Sequence, residues 1–292
     1  HRQQWESTLT TYAAELRPLP VGAITTDLVV KVLEPIWTTK TETATRTRQR
    51  IEAVLDWATV RQFRNGDNPA RWRGHLDHLL PAPAKVRKVE HQAAMPFGDM
   101  PAFMAALRLR RGVSARLLEL VILTACRVGE AAAAEWSEID LDAATWTIPG
   151  ARMKAGKEHR VALSPAAVAL LEALPKGGRY VFPGTGKRVQ PMNPESARKL
   201  LQKDMGHAGI TVHGFRSAFR DWAAERTSFP AEVVEMALAH AIESKVEAAY
   251  RRGDLFAKRA KLMEAWAGYL AVVPASSANV TPIKKSPGSL AG

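Results

Sequence analysis

The sequence predicts a mainly α-helical fold with one small antiparallel β-sheet, divided between two domains. Its 292 residues exceed the size of one ordinary hydrophobic core, and 46% of them are hydrophobic. Apolar residues recur at helical spacing through much of the chain, which is typical of amphipathic helices. Short strand-forming stretches separated by turn residues occur between residues 146 and 163. We therefore expect a helical first domain and a larger, mixed α/β second domain.

Residues 1–78 are predicted to form the first domain, built from helices. Trp5, Leu9 and Leu16 recur at helical spacing before two prolines, which end the first helix. A second helix is expected over residues 27–33. A third follows it, with an apolar stripe on one face.

The third helix is predicted to begin at Thr39, because Glu42 three residues later would complete a capping box. Its first turns interleave cations, among them Lys40, Arg46 and Arg50, with threonine hydroxyls. Both kinds of group can donate hydrogen bonds to phosphate oxygens. An ordinary solvated helix face is the alternative interpretation.

Proline and positive charge mark residues 79–95 as a linker between the domains. The second domain is expected over residues 96–272. Within it, three short strands are predicted at residues 146–148, 152–154 and 159–163. The final stretch, residues 273–292, is rich in small residues and proline and is predicted to be a disordered tail.

Composition narrows the class of partner. The formal net charge is +12 and the isoelectric point is near 10.0, which favours a polyanion, first of all nucleic acid. The single cysteine, Cys126, excludes an intramolecular disulfide framework and a cysteine-rich zinc site, so we expect a cytoplasmic protein. No apolar run approaches the length that spans a bilayer, and no membrane partner is expected. The chain opens at His1 without a methionine, as a fragment would.

Arg127 is the first candidate site residue, because apolar sequence flanks it on both sides. A buried charge without a partner is too costly, so this arginine is expected to be paired or to reach a ligand. Glu130 lies three residues later, and a structural ion pair between the two is the alternative to ligand binding.

Two further cationic features follow Arg127. Lys154 lies beside a predicted turn, where a hairpin tip would carry its ammonium into a groove; a merely solvated lysine is the alternative. His213 and Arg216 are three residues apart at a predicted helix start, where they share a face with the positive end of the helix dipole. That arrangement suits an anion.

His240 and Tyr250 complete the set, ten residues apart. A helix cap or core position is the alternative for the histidine, and packing is the alternative for the tyrosine. Metal binding is a poor interpretation, because the histidines of the chain lack close ligand spacing and no cysteine pair accompanies them.

Taken in this order, the residues resemble the active site of the tyrosine recombinases, in particular the phage and genomic-island integrases. The stretches at residues 68–72, 152–161 and 266–270 are also similar to integrase sequence. The resemblance covers nearly the whole chain and implies a helical core-binding domain followed by a mixed α/β catalytic domain. The implied catalytic set is Arg127, Lys154, His213, Arg216, His240 and Tyr250, with Glu130 supporting Arg127.

The reaction that this resemblance implies is DNA strand cleavage by a tyrosine. Tyr250 would attack the scissile phosphate, with His213 as base, and would form a 3′-phosphotyrosyl link. Arg127 and Arg216 would stabilise charge on the phosphate oxygens, assisted by His240, while Lys154 would protonate the departing 5′ oxygen. A second strand's 5′ hydroxyl would then reverse the attack. No ATP, metal or other cofactor is implied.

The implied partners are double-stranded DNA attachment sites, further copies of the chain assembled as a tetramer on DNA, and an accessory DNA-bending or directionality factor. The two domains would close around the duplex as a clamp. The residues expected to contact phosphates are Lys40, Arg46, Arg50, Lys85 and Arg87.

Two alternative functions would use the same fold. One is a topoisomerase IB-like enzyme that nicks and closes DNA without pairing two sites. The other is a catalytically silent DNA-binding regulator, which the intact residue set disfavours. Among the remaining tyrosines, Tyr269 is the strongest rival to Tyr250 as nucleophile.

Overall fold

The computed structural model describes residues 2–86, 93–186, 188–240 and 253–272. The chain divides into two units, His1–His91 and Gln92–Gly292. Tyr250, Arg87 and the tail predicted at residues 273–292 lie outside the described residues. Across the described part of the chain, no helix has the length and apolar character needed to cross a membrane.

The first unit is helical, with a core formed where one face of its second helix meets its third. Val29, Leu33 and Trp37 recur at a spacing of four residues and are fully buried against Ile51 and Leu55. Its helices are α1 (Arg2–Tyr12), α2 (Thr26–Trp37), α3 (Thr41–Val60) and α4 (Pro83–Val86).

The capping box predicted at Thr39 is wrong. The chain leaves α2 through a further turn, in which the Lys40 amide donates to the Ile36 carbonyl and the Thr39 hydroxyl donates to the Pro35 carbonyl. Thr39 is therefore engaged with the preceding helix, and α3 begins two residues later, at Thr41.

The first unit extends past residue 78. Leu80 is buried in its core, and the Trp37 indole donates to the Pro81 carbonyl at 2.8 Å. The segment expected as a linker from residue 79 therefore begins as packed structure. At the other end of that segment, Met95 is buried in the core of the second unit.

The second unit combines helices with a three-stranded antiparallel sheet in the order β1-β2-β3, which confirms the predicted fold class. Helix α6 is buried almost all round, and the rings of Phe219, Trp222 and Trp266 pack together in the core. The helices are α5 (Met100–Arg108), α6 (Val113–Thr124), α7 (Val128–Ala132), α8 (Pro165–Glu172), α9 (Glu195–Lys199), α10 (Gly214–Arg226), α11 (Ala231–Ala237) and α12 (Phe256–Leu270). The strands are β1 (Ile139–Asp140), β2 (Thr145–Ile148) and β3 (His159–Ala162).

The strand predicted at residues 152–154 is wrong. Strand β2 pairs directly with β3, with Trp146 opposite Val161 and Ile148 opposite His159. Pro149 follows β2 and has no amide hydrogen to donate to a strand ladder. The chain instead forms a 3-10 turn over Gly150–Arg152. Lys154 therefore lies in the loop that connects β2 to β3.

Candidate active site

The corner between α6 and α7 presents Arg127. Ala125 ends α6 in the left-handed conformation, with φ of 50°, and Arg127 then occupies the N-cap position of α7. The buried Glu130 carboxylate accepts from the Arg127 amide at 2.9 Å and from Nη1 at 2.8 Å. This is the ion pair that the three-residue spacing predicts. It fixes both ends of the arginine.

Arg152 braces the same corner, although the sequence pattern did not indicate this. Its Nη1 lies 2.5 and 2.6 Å from the two carboxylate oxygens of Glu138, and its Nη2 donates to the Glu130 carbonyl at 2.5 Å. The backbone of Glu130 is thereby tied to the turn that precedes β1.

Arg216 lies in the first turn of α10 with only 4% of its surface exposed. Its Nη1 donates to the Ala125 carbonyl, and its Nη2 donates to the Leu238 carbonyl at 2.6 Å. Nη2 also lies 3.1 Å from Nε2 of His240. Burial, followed by the nearby charge of Arg127, lowers the pKa of Arg216 from its ordinary value. The guanidinium thus joins two chain segments that are far apart in sequence.

His240 is oriented by a carboxylate that the sequence pattern did not single out. Its Nδ1 lies 2.5 Å from Oε2 of Glu235, and its backbone amide donates to the Glu235 carbonyl at 3.0 Å. Arg220 donates to the other carboxylate oxygen at 2.7 Å. Ala239, in the left-handed conformation, turns the chain so that a five-residue separation becomes a contact.

Burial alone would raise the pKa of Glu235, but the hydrogen bond from His240 and the charge of Arg220 outweigh it and lower that pKa. The carboxylate is therefore ionised at neutral pH and accepts the Nδ1 proton of His240. Nε2 is then left facing Arg216, whose N–H can donate to it.

His213 occupies the N-cap position of α10, with its side chain exposed. Partial loss of hydration, reinforced by the charges of Arg216, Arg127 and His240, lowers its pKa from the ordinary value of 6.5. The neutral imidazole is thus favoured at physiological pH. Gly214 follows because a Cβ there would lie 2.5 Å from the Ala93 carbonyl oxygen.

Of the two remaining predicted catalytic residues, the structure describes Lys154. Lys154 is exposed in the loop between β2 and β3, and no described residue forms a hydrogen bond or ion pair with its ammonium. Tyr250 lies outside the described residues. Its rival, Tyr269, has its hydroxyl engaged with the Phe97 carbonyl at 3.0 Å and its ring stacked on Trp266. That tyrosine is a packing residue.

Among the basic residues of the first unit, Arg50 is not a free surface cation. It is 9% exposed, and its Nη1 donates to the Gln4 carbonyl at 2.8 Å and to the Thr8 hydroxyl. These contacts join α3 to α1. They favour a structural role over the phosphate contact that the charge pattern predicts.

The structure describes three other residues of the first unit that are predicted to contact phosphate. All three lie on the surface of that unit. The Arg46 side chain is 63% exposed and pairs with Glu42 at 2.7 Å. The Lys40 ammonium lies 5.4 Å from the centre of the Tyr12 ring, and Lys85 is exposed in α4. These three cations can reach a ligand.

Comparison with known proteins finds two phage integrase family models that match the chain, one within each unit. The family described as "Phage integrase central domain" matches residues 1–75, and "Phage integrase family" matches residues 95–254. Prophage integrase IntA of Escherichia coli strain K12 is 32% identical over 274 residues, which cover 91% of this chain and 64% of that protein. The chain spans less than two thirds of the length of the curated relatives it matches, 64% and 62% for the first two.

Solved structures share the fold. A lambda integrase dimer bound to a COC′ core site has a TM-score of 0.62 at 16% identity, over 82% of this chain and 88% of that one. A lambda integrase tetramer bound to a Holliday junction has a TM-score of 0.60 at 17% identity, over 83% of this chain and 71% of that one.

Proposed function

The chain belongs to the phage integrase family, and from that premise we propose that it is a site-specific DNA recombinase of the tyrosine type. It would cut and rejoin double-stranded DNA through a 3′-phosphotyrosyl intermediate, for the integration or excision of a mobile element. The observation that carries the proposal is the convergence of Arg127, Arg216, His213 and His240, which come from three separate stretches of sequence. Two fixed guanidinium groups beside two imidazoles suit a phosphodiester that gains charge as it reacts.

The arginines supply the electrostatic part of the mechanism. The oxygens of a phosphodiester gain negative charge in the five-coordinate transition state, and preorganised cationic donors stabilise that charge without reorganising. Arg127 is held by Glu130, and Arg216 by two backbone carbonyls. Both guanidinium groups are therefore already oriented before DNA binds, and N–H groups that these contacts do not use remain for the phosphate.

His213 is the residue best suited to be the base. A phenol with a pKa near 10 is only about one part in a thousand ionised at pH 7, a deficit of roughly 4 kcal/mol. The lowered pKa of His213 keeps its imidazole neutral and able to accept the proton of an attacking Tyr250. Lys154, which is exposed in its loop, is assigned the role of general acid that donates a proton to the departing 5′ oxygen. His240 is assigned a hydrogen bond from Nε2 to a nonbridging oxygen once DNA displaces its contact with Arg216, which requires a proton on Nε2 in addition to the one that Nδ1 directs at Glu235.

The first unit is assigned to DNA binding outside the cleavage site. Lys40, Arg46 and Lys85 are its exposed candidate phosphate contacts, with Arg87 beyond the described residues. Assembly of several copies on paired DNA sites, with an accessory bending or directionality factor, completes the proposal. The cytoplasm, which holds the DNA, is the assigned compartment.

Trapping the covalent intermediate tests the proposal. The protein is incubated with supercoiled plasmids that carry the two genomic junctions flanking its gene, quenched in detergent and digested, and the nucleotide-bearing peptide is mapped by mass spectrometry. The adduct is expected on Tyr250. The Tyr250→Phe variant should bind DNA and form no adduct, whereas the matched Tyr269→Phe variant should still form one.

Two results would count against the proposal. An adduct that still forms in the Tyr250→Phe variant would overturn the assignment of Tyr250 as the nucleophile. Tight DNA binding without an adduct on either junction would favour a catalytically silent regulator. If an adduct forms, a reaction with both junctions on separate plasmids separates recombination from nicking and closing. Joined products require a recombinase, and relaxed plasmids alone indicate a topoisomerase-like enzyme.

A further inference from the structure

Arg152 connects two parts of the second unit that the proposed mechanism uses separately. It lies two residues before Lys154, in the loop that joins β2 to β3. Its Nη2 donates to the Glu130 carbonyl at 2.5 Å, and its Nη1 pairs with both carboxylate oxygens of Glu138. The Glu130 carboxylate in turn holds Arg127. One guanidinium therefore joins the support of one candidate catalytic residue to the loop that carries another.

The Glu138 carboxylate is a fixed anchor for this guanidinium. Only 7% of the Glu138 side chain and 21% of the Arg152 side chain are exposed. Oε2 of Glu138 also accepts from the Trp146 indole at 3.0 Å and from the Glu135 amide at 3.3 Å. Trp146 is a fully buried residue of β2, so the anchor is tied to the core of the unit. Charge-assisted hydrogen bonds in such a setting are strong and well ordered.

The loop that carries Lys154 is itself closely folded. The Met153 side chain is buried, and its amide donates to the Gly150 carbonyl at 3.0 Å. The Gly156 amide donates to the Met153 carbonyl at 3.0 Å. A Cβ on Gly150 would lie 2.7 Å from the Gly156 carbonyl oxygen, so the two ends of the loop meet. The backbone at Lys154 is therefore held on both sides, and its position follows that of Arg152.

We propose that Arg152 is a positioning residue for DNA cleavage. It fixes the loop that carries Lys154, the assigned general acid, relative to the Glu130 backbone that supports Arg127. Its kinetic consequence rests on the proposed function, in which both of these residues act on one phosphate. A misplacement of about 1 Å at such a site can cost about a hundredfold in rate. Arg152 itself is assigned no contact with DNA.

Two variants separate positioning from loss of stability. Arg152→Met keeps an unbranched side chain and removes the guanidinium, but it leaves the buried Glu138 carboxylate without its cation. The double variant Arg152→Met/Glu138→Gln removes both charges, so no buried charge is left unpaired. The matched control is Arg179→Met, which removes a neighbouring ion pair, 2.8 Å long, with Glu135. Arg179 is a surface residue with no assigned part in the site, so this control should react like the unmodified protein.

The kinetic test uses two synthetic duplexes that span the mapped cleavage position and differ in the leaving group. One has the natural 5′ oxygen, and the other has sulfur in place of that bridging oxygen. In both, the tyrosine oxygen forms a bond to phosphorus as the bond to the 5′ atom breaks. The oxygen leaves with a proton from the general acid, whereas a thiol is acidic enough for the sulfur to leave as a thiolate without one. The sulfur duplex therefore does not require Lys154.

On the oxygen duplex, at saturating DNA, we expect Arg152→Met and the double variant to lower the single-turnover rate of adduct formation by about 10- to 100-fold. DNA affinity should change less than about twofold. On the sulfur duplex the loss should shrink by about tenfold, because the contribution of Lys154 is no longer needed. Lys154→Ala is the reference, since it should be slow on the oxygen duplex and close to the unmodified protein on the sulfur duplex.

Several results would overturn this role. Equal losses of Arg152→Met on the two duplexes would remove the link to Lys154. A normal rate in the double variant would assign the loss to an unpaired Glu138 carboxylate, and a loss of the same size in Arg179→Met would assign it to ion pairs in general. If Lys154→Ala stays slow on the sulfur duplex, Lys154 is not the general acid and the assignment on which the role of Arg152 depends fails.

A measurement without DNA keeps the tether distinct from the proposed function. Amide hydrogen exchange reports the local opening of hydrogen bonds. We expect the Met153 and Gly156 amides to exchange about tenfold faster in the double variant and at the original rate in Arg179→Met. Unchanged exchange in the double variant would overturn the tether itself. If exchange accelerates but the unmodified protein forms no adduct on either junction, the proposed function fails and the kinetic role of Arg152 falls with it.

Discussion

His240 and Glu235 share a hydrogen bond 2.5 Å long between Nδ1 and Oε2, and this contact determines which ring nitrogen faces the site. With its proton directed at the carboxylate, Nδ1 cannot turn toward a ligand, so Nε2 is the atom presented beside Arg216. Arg220 holds the carboxylate from its other side. The orientation of a candidate catalytic histidine therefore depends on two residues that touch no reacting atom.

Removing that carboxylate should slow cleavage without weakening DNA binding. We expect Glu235→Ala to lower the single-turnover rate of adduct formation by about tenfold, ~1.4 kcal/mol, because His240 loses its fixed tautomer and orientation. Glu235→Gln keeps an acceptor oxygen and should lose less. Glu225→Ala, which removes an exposed carboxylate from α10, is the control. An unchanged rate in Glu235→Ala would contradict the role.

Ala125 should be replaceable by glycine with a gain in stability. Its φ of 50° lies in the left-handed region, which costs an alanine roughly 1 kcal/mol and costs glycine nothing. Ala125→Gly should therefore raise the free energy of unfolding by up to ~1 kcal/mol, as measured by urea titration. The greater conformational freedom of glycine in the unfolded chain offsets part of this gain. The matched Ala169→Gly change, in the exposed interior of α8, should lower it by about 1 kcal/mol. Destabilisation by both changes would argue against strain at Ala125.

Stability should fall in mild acid because of His159. Its pKa is about 4 in the folded protein and 6.5 ordinarily, so the unfolded chain binds a proton more readily than the folded one between these values. Above about pH 6.5 this difference has no effect on stability. As the pH falls from 6.5 toward 4, it lowers the free energy of unfolding progressively, by up to ~3 kcal/mol. Urea titrations from pH 8 to pH 4.5 should show a shallower decline in His159→Gln. Parallel curves for the two proteins would contradict the lowered pKa.

In the first unit, Arg50 and Arg46 should have opposite phenotypes. Arg50→Ala removes hydrogen bonds between α3 and α1 and should cost about 1–3 kcal/mol of stability. Arg46→Ala changes an exposed ion pair and should cost less than about 0.5 kcal/mol. If Arg46 contacts a phosphate, its loss should instead reduce the slope of log affinity against log salt by about 1. The reverse pattern would restore Arg50 as the phosphate contact.

Several parts of the site could be predicted from the sequence because they are local. Arg127 and Glu130 pair across three residues at a helix start, where N-terminal geometry brings those positions together. His213 and Arg216 belong to the first turn of α10, as their spacing indicates.

Other parts could not be predicted, since they depend on groups that leave no mark in the sequence. Arg216 binds the carbonyls of Ala125 and Leu238, yet every residue carries a carbonyl, and none signals that it will accept a guanidinium. The loop at residues 152–154 was predicted as a strand because its residue types permit one, whereas its course follows the contacts of Arg152.

The sequence by itself determined the family, the helical character of both units and the identity of the charged groups. Tertiary structure decided which of these groups are free to meet a ligand and which are already used by the protein. The physical reason is that a cation engages whatever acceptor folding brings within reach. For Arg50 the acceptors are Gln4 and Thr8, while Arg46 on the same helix remains at the surface.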